Sequence, residues 1–209
     1  MEDRPSNLIY TGPIIHRDSS AEAPAWMAHL DRSRPIVLVT QGTLANFDFD
    51  QLVNPAILGL ADEPVQVVVT AGGTKDGKIV SANNAIVEPY VPYEQILPMT
   101  SVFVTNGGYN GVQQALSYGV PIVCYGASED KPLVSARVRW SGAGISLNAG
   151  SSISEQIRDA VRKILHDPSY AERARTLGAE IAKSDALRTV SQIVNAAIAT
   201  SGFTRQVVV

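Results

Sequence analysis

The stretch VFVTNGGYNGVQQALSYGVPIVCYG, residues 102–126, constrains the fold more than any other part of the chain. It runs from an apolar, β-branched strand directly into paired glycines and a helix, and a second apolar strand follows. A strand without polar alternation is typical of a parallel sheet that is buried on both faces. The glycines at the strand end indicate that a ligand or another backbone approaches the chain closely between Asn106 and Gly111.

The same alternation of strands and helices continues on both sides of this stretch. Strands are predicted at 35–40, 65–70, 86–88, 102–105, 121–125 and 144–147, and helices at 50–61, 108–118, 131–141 and from 154 onward. In the last region, Ile153, Ile157, Val161 and Ile164 or Leu165 recur at the helical period. We therefore expect an α/β fold with a Rossmann-like doubly wound parallel sheet of about six strands, flanked by helices.

Composition narrows the range of partners and locations. The net charge of -3 gives no electrostatic basis for a nucleic-acid partner. No apolar run approaches the roughly 20 residues of a transmembrane helix, so no integral membrane segment is expected. The chain has one cysteine, Cys124, which excludes an internal disulfide framework and favours a reducing, cytoplasmic location.

Two loops at predicted strand ends are rich in backbone donors. In TNGG, residues 105–108, the glycines open a helix whose first N–H groups have no partner within the helix. In TQGT, residues 40–43, Gly42 and the Thr43 hydroxyl follow the first strand. Either loop alone is explained equally well by a tight turn, but together they favour diphosphate binding. Their spacing matches neither the GxGxxG nor the GxxxxGKS/T motif, and the three histidines lack metal-site spacing, so neither a cofactor nor a metal is expected.

The segment PYVPYEQILPMTSVFVTNGGYNGVQQALSYGVPIVCYGASEDKPLVSARVRWSGAG, residues 89–144, carries a family resemblance. It resembles the carboxyl-terminal, donor-binding domain of the GT-B UDP-glycosyltransferases of the macrolide and plant secondary-product type. The resemblance implies metal-independent, inverting transfer of a hexosyl group from a nucleotide diphosphate sugar, with UDP favoured, to an acceptor hydroxyl. Residues 1–34 would then be a linker from an absent N-terminal domain, 35–200 the Rossmann-like nucleotide-sugar-binding domain and 201–209 a tail.

The resemblance also implies roles for the nucleobase and diphosphate residues. Tyr90 matches an aromatic residue that stacks on uracil, although packing would explain it equally well, and the backbone of Val91 would pair with the base. Asn106 replaces the family's phosphate-binding histidine, and an amide donates hydrogen bonds without a positive charge. The rest of the diphosphate loop matches the family, except that Gly111 replaces a small hydroxyl residue. The predicted diphosphate-binding residues are Gly42, Thr43, Asn106, Gly107, Gly108, Asn110 and Gly111.

The sugar-binding residues of the family align with Asp130 and Lys131. Asp130 agrees with the family's acidic residue, whereas Lys131 replaces a glutamine and could reach the diphosphate instead. Glu129 becomes the sugar contact if the alignment shifts by one residue. The alternative for this segment is a helix start with acidic residues at its positive end.

No catalytic residue is expected within this chain, because the family's base and acceptor pocket come from the N-terminal domain. The chain alone is therefore expected to be inactive in transfer. The expected partners are a UDP-sugar or related nucleotide sugar and an N-terminal acceptor-binding domain or partner chain, and homodimer formation is left open. Two alternatives stay open: a separate donor-binding subunit of a two-chain glycosyltransferase, and a nonenzymatic nucleotide-sugar-binding module.

Overall fold

The computed structural model describes residue 5 and residues 7–15, 22–43, 48–73, 78–148 and 152–201 of the 209-residue chain. These residues form two compact units. The described residues between 15 and 179 make up the larger unit, and those of 1–14 and 180–201 make up the smaller one. Of the predicted tail, residues 202–209 lie outside the described residues.

The larger unit contains a sheet of six described strands in the order β3-β2-β1-β4-β5-β6, and every neighbouring pair is parallel. This arrangement confirms the predicted doubly wound sheet. Each strand lies within two residues of its predicted bounds. The strands are β1 Ile36–Thr40, β2 Gln66–Thr70, β3 Ala85–Glu88, β4 Thr100–Thr105, β5 Ile122–Cys124 and β6 Gly144–Ser146.

Seven α-helices follow in the described part of the chain: α1 Val53–Leu60, α2 Tyr93–Ile96, α3 Tyr109–Ser117, α4 Lys131–Ser141, α5 Ile153–His166, α6 Pro168–Ala182 and α7 Ala186–Ser201. The first helix differs from the predicted 50–61. A 3₁₀ turn at Phe49–Gln51 precedes α1, because the Asp48 carboxylate accepts a hydrogen bond from the Asp50 N–H at 3.0 Å. Leu52 then leaves the helical region with a φ of -145°, so the 3₁₀ turn and α1 stay separate.

The core lies between the sheet and its helices. All five residues of β1 and of β2 are buried, as expected for strands covered on both faces. Helix α5 buries Ile157, Val161 and Ile164, which confirms the predicted apolar face. It approaches α1 so closely that a Cβ on Gly59 would lie 2.2 Å from the Ser154 carbonyl oxygen.

The strand order reverses beside β1, and this reversal positions the site. The chain passes from β1 to β2 and β3 on one side, then returns to β4 on the other side of β1. Thr40 at the end of β1 is paired in register with Thr105 at the end of β4. The loops that follow these two residues are therefore neighbours at the carboxyl edge of the sheet, where open α/β sheets bind ligands.

In the smaller unit, helix α7 carries exposed apolar side chains. They recur at helical spacing along one strip, which consists of Leu187, Val190, Ile193, Val194 and Ile198. An exposed strip of this kind marks an interaction surface more often than a free surface. Among the described helices, none combines the length and apolar character needed to cross a membrane.

Candidate functional site

A cleft of about 520 Å³ opens at the carboxyl edge of the sheet. The cleft brings together predicted site residues from four separate loops. Gly107 is not one of the lining residues, but it stands between Asn106 and Gly108, which both line the cleft. The predicted residues that line it are Gly42, Thr43, Tyr90, Val91, Asn106, Gly108, Asn110, Gly111, Glu129, Asp130 and Lys131.

The two glycine loops are built in the same way. After β1, the Gly42 N–H donates to the Thr40 hydroxyl at 3.1 Å, and after β4, the Gly107 N–H donates to the Thr105 hydroxyl at 3.3 Å. Both glycines have left-handed backbones, with φ of 83° and 86° respectively. Other residues rarely adopt this conformation, so glycine is required for the turn at both positions.

Asn106 joins these two loops. Its Oδ1 accepts a hydrogen bond from the Gly108 N–H at 3.1 Å, and its Nδ2 donates to the Gln41 carbonyl oxygen at 2.5 Å, across 65 residues of sequence. The side chain is buried. Sequence reasoning identified Asn106 as a hydrogen-bond donor but missed this bridging role, because the partner becomes visible only when β1 and β4 are adjacent.

Helix α3 points its N-terminus at the cleft. Gly108 occupies the N-cap position and no side chain caps the helix. The N–H groups of the first turn, at Tyr109, Asn110 and Gly111, therefore stay available for a ligand, and the helix dipole adds a partial positive charge at this end. Together with the Gly42 loop, this arrangement suits an anion with two phosphate groups.

Tyr90 and Val91 form the far wall of the cleft. Tyr90 is 67% exposed, and its ring covers Gly73, where a Cβ would lie 2.1 Å from the tyrosine hydroxyl. The hydroxyl end of the ring thus lies against the loop after β2. Val91 is buried and holds the chain in place beside it. An exposed aromatic ring in a polar cleft is suited to stacking on a planar ligand group.

Asp130, Glu129 and Lys131 lie at the start of α4. Asp130 occupies the N-cap position, yet its side chain makes no capping hydrogen bond, and the residue is exposed in the cleft. The alternative of a helix start with acidic residues at its positive end therefore fits this position as well as sugar binding does, although the carboxylate does not cap the helix. Lys131 is buried, and its Nζ forms an ion pair with the Glu129 carboxylate.

Tyr93 is a cleft residue that sequence reasoning missed. Its ring packs edge-on against Phe103, with ring centroids 5.8 Å apart, and burial raises the pKa of its hydroxyl, which also bonds the Thr40 side chain. Tyr93 thus stays neutral and fixes the end of β1. In the described part of the chain, no group of three or more His, Cys, Asp or Glu side chains is arranged to hold a metal ion.

Comparisons with known proteins agree with this geometry. The chain is 42% identical over 186 residues to 4'-demethylrebeccamycin synthase of Lentzea aerocolonigenes, a match that covers 88% of this chain and 44% of the relative. The calicheamicin glycosyltransferase CalG4 superposes with a TM-score of 0.76 at 22% identity, over 96% of this chain and 50% of that one. A variant of Os79 from O. sativa, in complex with UDP, superposes with a TM-score of 0.66 at 22% identity, over 77% and 40%.

The chain spans less than half the length of the curated relatives it matches, between 37% and 44% for the first five. Its six-stranded sheet corresponds to one half of the GT-B glycosyltransferase structures. The family model described as UDP-glucoronosyl and UDP-glucosyl transferase matches residues 8–189. The chain therefore belongs to the UDP-glycosyltransferase family, as the carboxyl-terminal, donor-binding domain of its GT-B fold.

Proposed function

We propose that this domain binds a nucleotide diphosphate sugar, with UDP as the nucleotide, for transfer of its hexosyl group to an acceptor hydroxyl. The observation that carries the proposal is the joining of the two glycine loops, the uncapped end of α3 and the exposed Tyr90 ring in one cleft. The diphosphate lies on the N–H groups of the two loops, and the uracil lies on Tyr90 beside Val91. Asp130 accepts hydrogen bonds from hydroxyls of the sugar, and Glu129 lies next to it at the cleft mouth.

The reaction that fits this site is a displacement with inversion and without a metal. The acceptor oxygen attacks the anomeric carbon, the bond from that carbon to the diphosphate breaks, and its electron pair passes to the diphosphate oxygen. The N–H groups of the loops stabilise this developing charge. The acceptor proton goes to a base on the N-terminal acceptor-binding half, which belongs to the same chain or to a partner chain. The same half covers the exposed apolar strip of α7.

Binding tests the nucleotide assignment. Calorimetric titration is expected to give binding of UDP, weaker binding of uridine and no measurable binding of ADP or NAD. Replacing Tyr90 with alanine is expected to weaken UDP and uridine binding alike, by about 1 to 3 kcal/mol, since the stacked base is lost in both. Trp140→Ala is the matched control, because Trp140 is 88% exposed on α4 and does not line the cleft. Equal affinity for ADP and UDP would remove the uracil assignment.

Transfer assays separate the proposal from its alternatives. We expect the 209-residue chain to bind UDP-sugar without transferring sugar, and transfer to appear when the acceptor-binding half is supplied in one polypeptide. Transfer only after addition of a separate partner chain would indicate the two-chain enzyme. Donor binding without transfer in either arrangement would indicate the nonenzymatic module, and robust transfer by the chain alone would contradict the assignment of the base to the other half.

A further inference from the structure

Lys131 is the buried cation of the cleft. It is 5% exposed and is the first residue of α4. Its side chain packs against the loops after β4 and β5: a Cβ on Gly126, after β5, would lie 2.9 Å from Lys131 Cδ, and a Cβ on Gly107, after β4, would lie 3.7 Å from Lys131 Cβ. The two glycines thus make room for the lysine side chain, which reaches the cleft from below the diphosphate loop.

The charges of the cleft single out this lysine. Among the described residues that line the cleft, Lys131 is the one lysine, arginine or histidine, whereas Glu129 and Asp130 are acidic. Asn106 is neutral and already bridges the two loops. Backbone N–H groups contribute only partial charges, so a full positive charge beside them would strengthen the binding of a diphosphate.

The ion pair between Glu129 and Lys131 can be broken readily, because the Glu129 side chain is exposed to water. The Lys131 Nζ pairs with the Glu129 carboxylate and lies 3.4 Å from the Ser128 hydroxyl. The Glu129 side chain is 69% exposed, and its backbone has φ of 57°, a left-handed conformation that is uncommon for residues other than glycine. Backbone strain of this kind clusters at ligand sites. The exposed carboxylate can return to water, whereas the buried ammonium needs another anion if Glu129 leaves.

We propose that Lys131 supplies the positive charge of the donor site by binding the diphosphate, and that Glu129 is its counter-ion before the donor binds. This inference rests on the proposed function and names the residue that takes over the charge absent from Asn106. Donor binding exchanges the Glu129 carboxylate for a phosphate oxygen on Lys131 Nζ. The ammonium then lies beside the oxygen that receives the electron pair when the sugar leaves, which favours departure of the diphosphate.

The test compares uridine, UDP and UDP-glucose by calorimetry with the wild-type chain and three variants. Lys131→Met keeps the length of the side chain without its charge, Lys131→Arg keeps the charge, and Glu129→Gln removes the counter-ion. We expect Lys131→Met to weaken UDP and UDP-glucose binding at least tenfold while uridine binding stays the same. Lys131→Arg should retain more UDP affinity than Lys131→Met, and Glu129→Gln should tighten UDP binding.

Added salt gives a second readout, because the wild-type preference for UDP over uridine should fall with ionic strength more steeply than that of Lys131→Met. Unchanged UDP binding in Lys131→Met would overturn the inference, as would equal losses for uridine and UDP. A loss confined to UDP-glucose would assign Lys131 to the sugar hydroxyls instead. Wild-type protein that binds neither uridine nor UDP would refute the proposed function itself, whereas binding of both with no effect of Lys131→Met refutes only the inference.

Discussion

Replacing Gly111 with serine restores the small hydroxyl side chain that the family carries in the diphosphate loop. Gly111 is the third residue of α3 and is not among the glycines with a left-handed backbone. A Cβ at this position meets only the Phe103 ring, at 3.6 and 3.7 Å, which are ordinary van der Waals distances. Both serine and alanine therefore fit without displacing the loop.

The expected gain is the value of one hydrogen bond to a charged group. Such bonds contribute about 1.5 to 3 kcal/mol, and 1.4 kcal/mol corresponds to about a tenfold change in affinity. Because side chains of a helix lean toward its N-terminus, the new hydroxyl would point toward a diphosphate bound there as proposed. Gly111→Ser should thus bind UDP about tenfold more tightly or better, while Gly111→Ala should change only the stability of the fold, through its higher helix propensity.

Calorimetric titration of both variants with UDP and uridine separates these effects. The gain should appear for UDP with Gly111→Ser alone, since uridine has no phosphate to accept the hydrogen bond. Equal gains for serine and alanine would show that helix stability, and not the hydroxyl, sets the affinity. A gain for uridine as large as that for UDP would refute the placement of the diphosphate at the α3 N-terminus.

Three further predictions concern the loop bridge, the helix packing and the buried thiol. Asn106→Asp should lower UDP affinity at least tenfold in calorimetry and leave uridine affinity nearly unchanged, because a carboxylate cannot donate to the Gln41 carbonyl and repels the diphosphate; an equal loss for uridine would contradict this. Gly59→Ala should lower the free energy of unfolding in urea by about 1 to 3 kcal/mol, since its Cβ would overlap the Ser154 carbonyl oxygen, whereas the exposed neighbour Leu58→Ala should be nearly neutral. Burial raises the pKa of the Cys124 thiol to about 12 from 9.0, so thiol reagents should not label the native protein at pH 8. The free energy of unfolding should therefore decline between pH 9 and 12, because the thiol ionises in the unfolded chain at a lower pH than in the folded protein. If a Cys124→Ala variant lost as much stability over this range, the thiol would not be the cause.

The sheet could be predicted from the sequence because its signals are local. Strands such as β1 and β4 contain uninterrupted apolar runs, IVLV and VFV, and glycines mark the turns that follow them. The break at Leu52 was not predictable, because the Asp48 side chain that starts a separate 3₁₀ turn competes with helix propensity. The positions of the site residues followed from the family pattern, but the Asn106 bridge and the burial of Lys131 depend on which strands and loops become neighbours.

The hydrogen bond between Asn106 and Gln41 joins residues that are 65 positions apart in the chain. A diphosphate bound by the loops at Gly42 and Gly108, as proposed, would also connect the ends of β1 and β4, and this connection would form only in the native state. Bound ligand at 100 times its Kd would stabilise that state by about 2.7 kcal/mol. Amide hydrogen exchange would then slow along β1 and β4 together. The affinity of a donor could be determined from the rise in melting temperature that it causes.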